Sequence, residues 1–466
     1  MPSLSRQVAP RPSAPSAATA PVPRHAGVRG DAAWLVPLLA LFVVKGALLV
    51  AMVGPFTGHD EVDHFWYVAR LAEGNGLGVV GEVDLPPETE PYADYVADYP
   101  TNAEVIQPPL YHALLVPLYL LAPGDAEDRL SLLRLASVPL GAAVVWIGYL
   151  TARLLFPSDA LLRAGVPIFV ALQPQFGFVA SIVNHDILVV LLVSLAFYLS
   201  LREVRDGGDR RRQWAIGLVG AAGLWTKASF ALVLPVVGLA LLLAWWDRRG
   251  DLRDLVASGL RALGLPLLLA SPWFLRSFLL YGDPTGSRRL REVSDFGEQA
   301  QGYRSMLTSG SFWRQLLEDF WGNYGWRQVP LDPVGFRAIW LVWAVAGVGL
   351  AVGATRGWLA RRRDDGEGWT AFQRRGVGLV VATVALFVYG VLYVGTIQFT
   401  QARFAFPAMI GFGTLTLLGV GGWLPTRLRP VAVPLLALVL VAVNAVVVLR
   451  FLLPFYYGPG GGASVP

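Results

Sequence analysis

Apolar runs such as "DILVVLLVSLAFYLSL" (186–201) recur along this chain, and they limit its fold more than any other feature. A helix crossing a bilayer needs roughly 20 apolar residues, because each adds about 1.5 Å and the hydrocarbon layer is about 30 Å thick. In lipid each backbone N–H and C=O must be paired, which leaves helices or closed barrels. No sustained two-residue alternation supports a barrel. Only 15% of the 466 residues are charged, against about 25% in soluble domains. The expected fold is all-α: a polytopic transmembrane helical bundle. Its eleven spans lie near 32–54, 132–156, 162–182, 186–202, 213–227, 229–246, 257–280, 335–354, 376–396, 404–424 and 431–453.

The arginines set the topology. Residues 1–30, rich in Pro, Ala and Ser, read as a disordered cytoplasmic tail, and 457–466 as a flexible tail. The apolar run after the first tail is too long for a signal-peptide core and reads as a signal anchor. With the N-terminus inside, the basic stretches "LREVRDGGDRRRQ", "WDRRGDLRD", "RGWLARRRDD" and "PTRLR" all face the cytoplasm. Residues 31–456 then form one transmembrane domain of the plasma membrane, with large outer loops at 57–130 and 281–334. The segment "QPPLYHALLVPLYLLAP" (107–123) is apolar but short. Spanning would turn every later arginine cluster outward, so it reads as a juxtamembrane helix in the first outer loop. There is no Cys, which excludes disulfides, thiolate metal sites and a Cys nucleophile. A net charge of +5 is ordinary for such a protein and does not call for nucleic acid as a partner.

On this topology the unusual polar groups gather on the outer side. "GHDEVDHFW" (58–66) follows the first span, and five of its six residues from His59 to His64 can ionise. Thr57 or Gly58 can cap a helix there, which sets Asp60, Asp63 and His64 on one face. A solvated first turn would also account for them. A divalent metal is a further reading, more an oxygen-rich Asp/Glu site than zinc, since His59 and His64 are five apart and fall on different helix faces. "VNHD" (183–186) places His185 and Asp186 in a tight turn facing the same cleft, although a turn alone also favours Asn and Asp. Lys227, in "LWTKASF", sits between apolar segments, where a cation needs a carboxylate partner or an anionic ligand. Arg276 and Arg403 stand near outer span ends, as lipid anchors or as part of a phosphate site. Lys45, inside the first span, is assigned no role. The aromatic stretch "FWRQLLEDFWGNYGW" (312–326) fits an interfacial belt or a surface for sugar faces.

Taken in order, these motifs resemble the GT-C superfamily of membrane glycosyltransferases: "HDEVDHF", "QPPLYHALL", "VNHD", "LWTKASF", "LYGDP", "FWGNYGW" and "QARFAFP". They span positions 58–407. The chain departs from the pattern at His59, ahead of the acidic pair, and at Phe404, where a Tyr is usual. The resemblance implies a sugar donor linked to polyprenyl phosphate, used on the outer face, and a glycan, lipid or protein acceptor among membrane lipids. By analogy Asp60 is the catalytic base with Glu61 beside it, and Asp186 matches a second acidic site. Lys227, Arg276 and Arg403 would hold the lipid phosphate, and His112 would line the entry. A carboxylate accepting the acceptor proton and cations stabilising a departing phosphate are enough for displacement with inversion, which leaves a divalent metal open as an addition. A transporter or flippase of lipid-linked sugars is the alternative. It would call for mid-bilayer polar residues and paired repeats rather than charges at one face.

Overall fold

The computed structural model describes residues 28–96, 100–293, 295–363 and 369–459; most of both terminal tails lies outside the described residues. The helices are α1 (Val28–Met52), α2 (Glu61–Ala72), α3 (Leu110–Leu121), α4 (Ala126–Leu155), α5 (Ala160–Leu172), α6 (Pro174–Val179), α7 (Asp186–Asp206), α8 (Arg210–Leu224), α9 (Leu234–Arg248), α10 (Leu252–Gly259) and α11 (Leu265–Tyr281). Then follow α12 (Ser287–Val293), α13 (Tyr303–Thr308), α14 (Gly310–Trp321), α15 (Tyr324–Arg327), α16 (Pro333–Arg363), α17 (Ala371–Gly395), α18 (Met409–Trp423), α19 (Arg429–Val446) and α20 (Leu453–Tyr457).

Among the described residues nine helical stretches are long and apolar enough to cross a membrane, and the protein is a multi-pass membrane protein. The sequence reading of eleven spans counts two more. One of them, 162–182, is broken where Gln173 ends α5 and caps α6, with Pro174 at its first position. A proline there continues the chain without costing an internal hydrogen bond. The other, 213–227, is the 15-residue α8, which opens on three arginines and stops before Thr226. The helix α3 has 12 residues, so it reaches about 18 Å and cannot span. It packs Tyr111, His112, Leu115 and Tyr119 inward and leaves Leu114, Leu120 and Leu121 exposed.

The helix ends sort by chemistry. The end of α1 and the starts of α4 and α7 adjoin the loops that carry the acidic and histidine motifs, and the ends of α11 and α17 and the starts of α16 and α18 adjoin those that carry the "YGDP", "FWGNYGW" and "QARFAFP" motifs. Arginine-rich segments lie at the opposite ends, around Arg202–Arg212, Arg248–Arg253, Arg374–Arg375 and Arg427–Arg429.

Two packing devices hold the bundle. The helices α16 and α18 cross on small residues: a Cβ added at Gly419 would meet the Ala346 backbone, and one at Gly349 would meet that of Gly419. Close backbone approach is a main source of helix adhesion in lipid, where burying apolar side chains gains little. Gly419→Leu is expected to cost on the order of 1–3 kcal/mol of stability as an overpacking change. A thermal unfolding scan in detergent would read this as a lowered Tm.

The second device anchors the first outer loop. The Arg134 side chain, 2% exposed in α4, donates from Nε to Glu61 Oε1 (2.8 Å) and from Nη2 to Glu61 Oε2. It also reaches the Val53 and Gly54 carbonyls at 2.7 and 2.8 Å. Glu61 accepts in addition from the backbone N–H groups of Val183 (2.9 Å) and Gly58 (3.3 Å). This network ties the end of α1, the start of α2 and the turn before α7 to one point.

Candidate active site

The turn after α1 brings Asp60 to the head of α2 in left-handed conformation, φ 55 and ψ 16, with no capping hydrogen bond from its side chain. The helix therefore begins at Glu61, later than a cap at Thr57 or Gly58 would place it. A non-glycine residue in this region is uncommon, and such strain concentrates at functional sites. The conformation turns the Asp60 and Glu61 side chains to different partners: Glu61 to Arg134, Asp60 to Arg403.

Arg403 bridges two carboxylates. Its Nη2 donates to Asp60 Oδ2 and its Nη1 to Asp186 Oδ2 at 3.1 Å. Its Nε donates to Gln401 Oε1 at 2.5 Å. Lys227 Nζ donates to the other Asp186 oxygen at 2.5 Å. Asp60, Asp186 and Arg403 are 8%, 2% and 4% exposed, so these charges meet away from bulk water. Lys227 and Arg403 both lie over the Phe404 ring, at 5.0 and 5.1 Å from its centre.

Asp60, Asp63, Glu104, Lys227 and Arg403 are the charged lining of a cavity of about 310 Å³. Leu232, Trp326, Tyr389, Tyr393, Phe399 and Phe404 supply much of its apolar lining. Asp63 faces the cavity and also accepts from the Ala103 N–H at 3.1 Å, which fixes the loop carrying Glu104 against α2. Asn102 completes that join by donating to the Asp63 carbonyl at 3.0 Å. Burial, followed by the nearby Asp60 charge, pushes the Glu104 carboxyl up to about 8.

His64, His112 and His185, expected to bind substrate, are not among the residues lining the cavity; they meet one another instead. His64 Nδ1 and His112 Nε2 are 2.9 Å apart, and the His64 and His185 ring centres 4.5 Å. Burial holds all three imidazoles below their ordinary range. Of the remaining sequence candidates, Glu61 is held in the Arg134 network and does not line the cavity. Arg276 also lies off the cavity: its Nη2 binds the Gly78 carbonyl at 2.7 Å, and its guanidinium rests on Trp273. Lys45 donates to the Ala171 carbonyl at 2.7 Å inside the bundle. The aromatic stretch from 312 contributes Trp326 to the cavity, whereas Phe312, Phe320, Trp321 and Tyr324 are core residues rather than an interfacial belt.

Several parts of the site carry no sequence signal of their own. Glu104 stands in a loop with several other acidic residues, and only the fold selects it. Tyr389 and Tyr393, one helical turn apart near the end of α17, read as ordinary span residues.

Residues 107–275 match the family described as dolichyl-phosphate-mannose-protein mannosyltransferase. The undecaprenyl phosphate-alpha-4-amino-4-deoxy-L-arabinose arabinosyl transferase 1 of Pseudomonas fluorescens is 32% identical over 165 residues, 34% of this chain. The chain matches only 28% of the length of that curated relative. Among solved structures, the Archaeoglobus fulgidus oligosaccharyltransferase in the apo form has a TM-score of 0.53 at 12% identity, over 88% of this chain and 55% of that one. ArnT from Cupriavidus metallidurans in the apo state has a TM-score of 0.50 at 15% identity, over 91% of this chain and 74% of that one. At these identities the two structures speak for the fold alone. Together the family match, the curated relative and the shared fold bear out the resemblance to the GT-C superfamily.

Proposed function

We infer, for a chain whose fold and central sequence are those of GT-C membrane glycosyltransferases, that it moves a sugar from a polyprenyl-phosphate carrier to an acceptor hydroxyl on the outer face of the plasma membrane. The observation that carries this reading is the cavity whose charged lining joins one strained carboxylate, Asp60, to two cations, Lys227 and Arg403.

Each part has a task in such a transfer. Lys227 and Arg403 bind the carrier phosphate, which leaves bearing negative charge and needs cations more than a proton donor. The apolar lining with Tyr389 and Tyr393 takes the first isoprene units. Asp60 accepts the proton of the attacking hydroxyl, a role for which a carboxylate must be free of its ion pair. The donor phosphate competes with Asp60 for Arg403, so donor binding releases the base. Asp186 holds Lys227 and Arg403 and so positions the phosphate site. A single base beside a cationic pocket supports direct displacement with inversion, whereas retention by hydrolases uses two close carboxylates.

The test is transfer itself. Purified protein is incubated with radiolabelled polyprenyl-phosphate sugar and an acceptor membrane extract. The reading expects label to pass from the carrier lipid to an acceptor with inverted anomeric configuration. Label that stays on the carrier, or crosses a vesicle membrane still attached to it, would refute the reading in favour of no chemistry or of lipid transport. Lys227→Gln is expected to raise the KM for the donor about tenfold or more, consistent with one charge-assisted hydrogen bond lost. Donor titration measures it.

A further inference from the structure

His64, His112 and His185 come from three separate elements, α2, α3 and the turn before α7, and are 0%, 0% and 1% exposed. One ring nitrogen from each lies within 4.8 Å of those of the other two. Three neutral imidazoles carry three N–H groups and three lone pairs. Apart from the close approach of His64 Nδ1 and His112 Nε2, the remaining four ring nitrogens have no hydrogen-bond partner: His64 Nε2, His112 Nδ1 and both of His185. Buried polar atoms are nearly always satisfied, and four orphans in one cluster call for an explanation.

The atoms around the cluster supply one. Glu104 Oε2, itself buried and without a hydrogen bond, lies 3.4 Å from His185 Nδ1 and 4.0 Å from His64 Nε2. His185 Nε2 lies 3.5 Å from Asp186 Oδ1. Whichever nitrogen of His185 turns to the centre of the cluster, the other faces a carboxylate. Metal-bound histidines characteristically present their second nitrogen to a carboxylate in this way, which fixes tautomer and ring orientation.

We propose that His64, His112 and His185 form a three-histidine site for a borderline transition-metal dication, Zn²⁺ first, with Glu104 as its outer-sphere carboxylate. Three neutral imidazoles suit Zn²⁺ and Co²⁺ far better than Mg²⁺ or Ca²⁺, which prefer oxygen. The site differs from the oxygen-rich one that spacing within 58–66 brings to mind, because its ligands meet only in the fold. It stands independently of the transfer reading. A cation here would lock α2, α3 and the start of α7 together close to Asp60 and Asp186.

The test measures metal, not activity. Protein prepared without a polyhistidine tag is stripped with chelator, dialysed against Zn²⁺ or Co²⁺, and assayed for metal content and for the visible ligand-field bands of tetrahedral Co²⁺. One metal per chain with those bands is expected. His112→Ala is expected to lose it, while His59→Ala, another buried histidine, keeps it. Glu104→Gln is expected to weaken affinity about 10–100-fold, the usual effect of an outer-sphere partner. Thermal unfolding of each variant in detergent shows whether it is folded, and His112→Gln gives a second reading with less loss of volume. Absence of stoichiometric metal from the folded wild type, or its full retention in a folded His112 variant, would overturn the proposal.

Discussion

Asp60→Asn is expected to abolish sugar transfer, by about 10²–10⁴-fold or more, with the protein still folded and inserted. The factor is that of a positioned general base. The substitution keeps the side chain's shape and leaves Arg403 its bond to Asp186 at 3.1 Å, so the charged lining is not left with an unpaired guanidinium. The amide cannot accept the acceptor proton, so kcat should fall while donor binding persists or tightens, since Arg403 no longer has a carboxylate competing for it at that position. Single-turnover transfer alongside equilibrium donor binding separates the two effects. A large loss of donor affinity at unchanged kcat would make Asp60 a binding residue and remove the base from the mechanism.

Breaking the Glu61–Arg134 pair is expected to be the most damaging change to the fold. Both side chains are buried, at 0% and 2% exposure. Removing one partner of such a pair typically costs 3–5 kcal/mol, because the other charge is left stranded in low dielectric. Glu61→Ala strands Arg134 and also removes the acceptor of the Val183 and Gly58 N–H groups. A strong fall in Tm in detergent, with aggregation at growth temperature, is the expected outcome. Arg134→Met alone should be similarly harmful. Combining Glu61→Leu with Arg134→Met should recover much of the loss, because a matched apolar pair avoids both desolvation penalties. Failure of the double variant to exceed either single one would mean that the hydrogen bonds to the loop, rather than charge pairing, are what matters.

These two residues also mark how far the sequence could be read. Asp60 and Glu61 are adjacent in the chain; helical spacing sets Glu61 off the face of Asp60, Asp63 and His64, yet resemblance assigns both to one centre. Backbone conformation separates them: the left-handed turn at Asp60 directs one carboxylate to the cavity and the other to Arg134. Arg134 lies in the apolar span 126–155, where its partner 73 residues away cannot be inferred from local pattern. By contrast, the convergence of Asp60, Asp186, Lys227 and Arg403 was accessible, because charges flanking apolar runs are costly unless they pair, and the topology put all four at the same side. Arg276 shares that signature but satisfies a loop carbonyl instead, which spacing cannot distinguish. His64, His112 and His185 are all expected at the outer site, but nothing in the sequence joins them into one cluster. Its members sit at 64, 112 and 185, so neither helical spacing nor a short motif relates them. Of the eleven expected spans, 162–182 is built from two short helices that meet at Gln173 and 213–227 from the 15-residue α8, so neither is a single long apolar helix.

The most direct measurement is a structure of the protein with a polyprenyl phosphate bound in lipid nanodiscs. The account predicts the phosphate between Lys227 and Arg403, its lipid chain along Tyr389 and Tyr393, and Arg403 drawn away from Asp60. A phosphate held at Arg276 or at the arginine-rich ends of the helices, with the cavity beside Asp60 unfilled, would contradict it.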